Sequence, residues 1–198
     1  YDPSRPVHYE QAINSRDFEK TRYTDIYCPM YYNYANCEKY LASDPSRPLI
    51  QCEYAHSMGN SMGGFGEYMD LVRKYPKYQG GFIWDFVDQS IIRFEPDGRS
   101  TATYGGSYNK DDASGNNFNN NGFIASDRTL HPTALEVGHE YRSILTTSEN
   151  PASGRIQVYN ENFFTGLSDY ILSWELVADG RTVAAGTEDN LRGGPQET

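Results

Sequence analysis

Pro48-Leu49-Ile50-Gln51-Cys52-Glu53-Tyr54-Ala55-His56-Ser57-Met58-Gly59-Asn60 carries an apolar run into a carboxylate, then a histidine and a glycine-containing turn. An acidic side chain at the end of a buried strand is costly to desolvate unless it is paired or used. In an α/β barrel the chemistry sits at the C-terminal ends of the strands. Glu53 is therefore the first candidate for a functional carboxylate.

Outward from this run, strands and helices alternate. Residues 7–10, 25–30, 49–55 and 81–87 read as strands. A helix-compatible segment, roughly 36–42, precedes the second copy of Asp-Pro-Ser-Arg-Pro, which occurs at 2–6 and again at 44–48 and whose prolines stop the helix. Residues 61–75 place Met62, Phe65, Tyr68, Met69, Val72 and Tyr75 at helical spacing, closed by Pro76. Such alternation predicts parallel βα units. Four strands make half of a (β/α)8 TIM barrel; the plainer alternative is a small open α/β sheet. A Gly-, Asn- and Asp-rich stretch over 93–127 reads as a long functional loop, and 134–144 as a helix. After Pro151, alternation at Ile156/Val158 and Tyr170/Leu172/Trp174/Leu176, with turns at Thr165-Gly166 and Asp179-Gly180, reads as the beginning of an immunoglobulin-like β-sandwich. The expected domains are 1–147 and 148–198, both cut from a larger fold.

The formal charge of −10 disfavours nucleic acid and anionic membranes as partners. No window approaches the roughly 20 apolar residues of a membrane span. Cys28, Cys37 and Cys52 form no CxxC pair, and Cys28 and Cys52 read as inert core thiols. Tyr1–Pro6 reads as neither a signal nor a transit peptide, and the compartment, cytoplasm or periplasm, stays open. The 17 tyrosines suit sugar binding as well as packing.

Glu53 can act as nucleophile or as general acid/base, or can simply pair with an arginine. His56 can orient a ligand hydroxyl or be a satisfied core histidine. Trp84 can stack on a sugar face with Asp85 and Asp88 as hydroxyl acceptors, or the three can be an aromatic core with capping acids. The glycines between Gly59 and Gly66 lack the spacing of a phosphate loop and read as a tight turn. Oxygen donors crowd 109–121 without the offsets of an EF-hand. Asn160-Glu161, the chain's one Asn-Glu pair, reads as surface.

Together these residues resemble the glycoside hydrolase family 2 β-galactosidases. The resemblance runs through Arg5–Glu10, Thr24–Tyr31, Arg47–Asn60, Gln79–Ser90, Tyr104–Gly106 and Asp127–Pro132. The Cys-Glu-Tyr-Ala-His run followed by Gly-Gly-Phe-x-Trp-Asp is its most specific part. It implies retaining hydrolysis of terminal β-D-galactosides of the lactose type, with Glu53 as nucleophile and Tyr31 beside it. It also implies His56 on galactose hydroxyls, Trp84 beneath the sugar, and sodium at the 6-hydroxyl held by Asn121 and the Phe118 carbonyl. Magnesium is implied too, with ligands mostly outside this chain. The partners implied are a β-galactoside, the remaining domains of the same polypeptide and, at full length, a homo-oligomer. Ser107, Asn119 and Asn120 depart from the family pattern. The acid/base glutamate belongs to an Asn-Glu motif expected upstream, so the isolated chain is expected to be inactive. The competing readings are a non-catalytic carbohydrate-binding or scaffold module, and a β-glucuronidase or β-mannosidase of the same family.

Overall fold

The computed structural model describes residues 2–14, 18–20 and 22–198. Leu49–Tyr54 forms strand β1, preceded by helix α1 (Tyr34–Leu41) and followed by helix α2 (Phe65–Lys74) and strand β2 (Tyr78–Ile83). β1 and β2 run parallel, with Leu49 opposite Tyr78, Gln51 opposite Gly81 and Tyr54 opposite Ile83. On the other side of β1 the segment 25–31 is also parallel. It is joined by Tyr27 and Leu49, by Met30 and Glu53, and by the Tyr31 N–H donating to the Glu53 carbonyl at 2.8 Å. Beyond β2 the chain continues through Trp84 to Asp88 and pairs in parallel with 121–124, centred on Val87 and Ile124. Parallel neighbours thus follow sequence order.

Each helix has a local cause. The Asn33 side chain accepts the Asn36 N–H at 2.9 Å and caps α1. α2 begins after Gly64, whose φ of 72° favours glycine, and its Phe65 N–H donates to the Glu136 carboxylate at 2.9 Å. Glu136 lies on helix α3 (Pro132–Glu140). Two apolar clusters fix these layers. Cys37, Leu41, Leu49, Leu71 and Tyr78 form one, and Tyr54, Met62, Phe65 and Val137 the other. Gln51 is fully buried in β1, but it is satisfied. It accepts the Tyr32 N–H at 2.7 Å and donates to the Tyr78 hydroxyl at 3.1 Å.

Two expected strands are not regular strands. Residues 25–30 hold only isolated bridges to β1. At 7–10 the chain meets its neighbour mainly through Asp25, whose carboxylate accepts the Val7 N–H, before a 3-10 turn at Glu10–Asn14. Conversely, the expected loop after Arg93 contains an antiparallel hairpin, β3 (Ile91–Phe94) with β4 (Ser100–Thr103), turning at Pro96-Asp97-Gly98.

The chain divides into two compact units after Glu140. In the second, β5 (Ile144–Thr147) pairs antiparallel with β6 (Gln157–Asn160), and β7 (Leu172–Ala178) with β8 (Arg181–Glu188). Asp179 and Gly180, both at positive φ, make the two-residue turn between β7 and β8. Asn160, expected at the surface, is fully buried instead. Its amide donates to the Thr165 and Gly194 carbonyls, both at 2.8 Å, and clamps two loops. Among the described residues no helix is long and apolar enough to cross a membrane.

Candidate active site

Glu53 sits at the penultimate position of β1, where a register shift between Gln51 and Tyr54 interrupts the pairing with β2. Gln51 and Tyr54 are both buried, and the two residues between them, Cys52 and Glu53, stay half-buried. The shift therefore keeps the carboxylate out of the core. Tyr31, at φ 53° and partly exposed, ends the neighbouring parallel segment. Desolvation first, and then the Glu53 carboxylate nearby, push the Tyr31 phenol above its ordinary value, so the phenol keeps its proton.

His56 stands against the edge of Tyr31, ring centroids 6.0 Å apart, and stacks on Phe118 at 5.6 Å. Its Nε2 is buried with no hydrogen-bond partner. The Ser57 N–H donates to the Trp84 carbonyl at 2.8 Å, and the Trp84 N–H to the Tyr54 carbonyl at 3.1 Å, so the two strand ends hold each other. Trp84 is half-buried. The next residue, Asp85, donates its N–H to the Asn121 carbonyl at 2.6 Å. Asn121 is 2% exposed; its Nδ2 donates to the Phe118 carbonyl at 2.9 Å, and its Oδ1 is buried without a partner.

Glu53, Tyr31, His56, Phe118, Asn121 and Trp84, distant in sequence, are thereby connected at the ends of parallel segments. Among the described residues three side-chain polar atoms, His56 Nε2, Asn119 Oδ1 and Asn121 Oδ1, are buried without a hydrogen-bond partner. A buried polar atom without a partner is costly unless something bound satisfies it. Asp85 and Asp88 serve as capping acids. Asp85 accepts the Phe86 N–H at 2.5 Å and the Gln89 amide at 2.7 Å. Asp88 accepts the Gly122 N–H at 2.8 Å and faces His131 Nε2 at 2.9 Å. Residue spacing pointed to neither the Phe118 ring on His56 nor the part played by His131. Both depend on loop closures across more than 40 residues.

The chain matches "Glycosyl hydrolases family 2, TIM barrel domain" over residues 1–146 and "Beta-galactosidase, domain 4" over 156–198. It is 40% identical to a Clostridium acetobutylicum protein named beta-galactosidase, over 93% of this chain and 20% of that protein. It is 41% identical to Bifidobacterium adolescentis "Beta-galactosidase BgaC", over 92% of this chain and 17% of that protein. A solved Bacteroides uniformis beta-glucuronidase aligns at 16% identity with a TM-score of 0.40, over 94% of this chain and 24% of that one. The chain spans about a fifth of the length of the curated relatives it matches. With that match over most of its length, the chain belongs to glycosyl hydrolase family 2, its sequence matching the family's TIM barrel domain and then β-galactosidase domain 4.

Proposed function

We propose that the complete protein hydrolyses terminal β-galactosides with retention and that Glu53 is its nucleophile. One observation carries the reading: the half-buried Glu53 ends a strand parallel to the segment that ends in Tyr31, whose N–H donates to the Glu53 carbonyl at 2.8 Å and whose ring stands against His56. A carboxylate held this way can attack an anomeric carbon, forming a C–O bond as the glycosidic C–O bond breaks. Water then releases the sugar. Tyr31 orients the attacking oxygen. His56 Nε2 takes a sugar hydroxyl, and Trp84 offers an apolar wall.

Retention requires a second carboxylate about 5–5.5 Å from the first, to protonate the leaving oxygen. Asp85 is already engaged by Phe86 and Gln89. The chain's one Asn-Glu pair lies in the second unit, with Asn160 occupied as a loop clamp. By the resemblance to the family 2 β-galactosidases, the acid/base is assigned to an Asn-Glu motif in another part of the complete polypeptide, and this chain alone is expected to be inactive. In this reading the first unit is half of a (β/α)8 barrel and the second begins an immunoglobulin-like sandwich, with domains at 1–147 and 148–198. The complete protein is read as a homo-oligomer.

Sodium is the cation assigned to the Asn121 site, where the oxygens that would hold it are Asn121 Oδ1, unpartnered here, and the Phe118 carbonyl, which accepts the Asn121 Nδ2 at 2.9 Å. When bound there, it would anchor the galactose 6-hydroxyl. Among the described residues no three His, Cys, Asp or Glu side chains are grouped for a metal. The test is Glu53→Gln in the complete protein. It should abolish both turnover of aryl β-galactosides and covalent labelling by a 2-fluorogalactosyl inactivator; retained turnover with labelling removes Glu53 from this role.

A further inference from the structure

The inference concerns a pair of residues beside this site, and it rests on the galactosidase reading above. Trp84–Asp88 and 121–124 are stitched by Asp85 N–H to Asn121 O at 2.6 Å, Phe123 N–H to Asp85 O at 3.0 Å, and Asp88 N–H to Ile124 O at 2.8 Å. The buried Gly122 N–H, in the middle of this ladder, goes to the Asp88 carboxylate instead of a backbone carbonyl. No side chain fits at Gly122, because a Cβ would overlap the backbone of Val87 and Asp88. The other Asp88 oxygen faces His131 Nε2 at 2.9 Å. His131 is itself tied to the same segment by its N–H to the Phe123 carbonyl at 3.2 Å. The Asp88 side chain is 9% exposed and that of His131 is 40% exposed. Both border a cleft of about 570 Å³ that Ser57, Asn60 and Asn117 also line.

We propose that Asp88 and His131 are a positioning pair that fixes Asn121, and through it recognition of the sugar's exocyclic hydroxymethyl group. Asp88 grips the residue next to Asn121, whose Oδ1 is buried without a protein partner. Without the carboxylate, the Gly122 N–H is buried unpaired, and the segment shifts or admits water. A small displacement of a buried group that contacts ligand is felt mainly by the substituent it contacts. Neither Asp88 nor His131 is given contact with the reacting atoms.

The test uses the complete enzyme and two substrates with one leaving group. One is an aryl β-D-galactopyranoside; the other is an aryl α-L-arabinopyranoside, the same ring without the hydroxymethyl group. Asp88→Ala should lower kcat/KM on the galactoside about 10- to 100-fold while barely changing the arabinoside, so that the preference between them collapses. Asp88→Asn keeps an oxygen for the Gly122 N–H and should restore most of the preference; His131→Gln should fall between. A merely structural role lowers both substrates by one factor and overturns the proposal, as does an unchanged preference. Should Asp88→Ala fail to fold, the Asp88→Asn and His131→Gln ratios decide it: preserved at the wild-type value in His131→Gln, they overturn it. Glu53→Gln in the same series separates the two failures. Wild-type enzyme that leaves the galactoside uncleaved removes the galactosidase reading and this inference with it, and galactoside turnover retained in Glu53→Gln removes Glu53 as nucleophile, whereas an active wild type and an inactive Glu53→Gln beside an unchanged Asp88→Ala preference remove this inference alone.

Discussion

Tyr31 shows how one side chain acquires its task from its surroundings. As an isolated phenol it titrates near 10. Here burial, and then the Glu53 carboxylate, raise it, so the protonated form is favoured throughout neutral and mildly alkaline pH. Tyr31→Phe in the complete protein should therefore cost about 10- to 100-fold in kcat/KM, the worth of a hydrogen bond to a charged group. The alkaline limb of the pH profile should stay where it is; a displaced limb would make Tyr31 a titrating participant. The thiols argue similarly. Cys28 and Cys37 are fully buried, and burial pushes the Cys37 thiol up to about 11. Neither should react promptly with a disulfide reagent at pH 8 until denaturant is added. Fast labelling of both in the folded chain would contradict that burial. At this scale the sequence was informative about Glu53, because a carboxylate closing an apolar run is locally conspicuous. It said nothing of Asn121 Oδ1 or His56 Nε2 as unpartnered atoms, since partners are a property of packing.

Among elements, β1 gives the sharpest test. Gln51 stands where an apolar residue looks natural, inside a layer of Leu49, Leu71 and Tyr78. Gln51→Leu should nevertheless destabilise the protein by about 1–3 kcal/mol, because the buried Tyr32 N–H loses its acceptor. Chemical denaturation would check this, and an unchanged or raised midpoint would contradict it. The capping bond of Asn33 makes a smaller claim: Asn33→Ala should cost about 1 kcal/mol. Periodicity located α1 and α2 to within a few residues, Tyr34–Leu41 against 36–42 and Phe65–Lys74 against 61–75. Both helices have an apolar stripe and a stop. It missed the β3–β4 hairpin, because Ser100–Thr103 offers almost no apolar alternation and holds its place by pairing with Ile91–Phe94. The Pro96-Asp97-Gly98 turn was the available signal. At 25–30 the residue types suit a strand, but the pairing reduces to isolated bridges.

For the molecule as a whole, surface is the informative quantity. The chain exposes 14007 Å². Two separate folded bodies of 140 and 58 residues would together expose only about 11,000 Å² by the usual scaling with mass. Large apolar side chains account for part of the excess, including Phe82, Phe94, Leu135, Phe163 and Phe164, each at least 63% exposed. The isolated chain should therefore bind a hydrophobic dye strongly and self-associate as its concentration rises. A monomer that leaves the dye dark would overturn this. The sequence by itself determined the alternation of strands and helices, the parallel β1–β2 unit and the identity of Glu53 as the residue to examine. Those follow from local periodicity and from the cost of burying one charge. Only the tertiary structure decided that a register shift leaves Glu53 half-buried, that the segment ending in Tyr31 pairs beside it, and that Asp88 grips the backbone beside Asn121. Those facts depend on contacts between segments up to 34 residues apart, whose meeting is set by how strands align and loops close and leaves no local periodic trace.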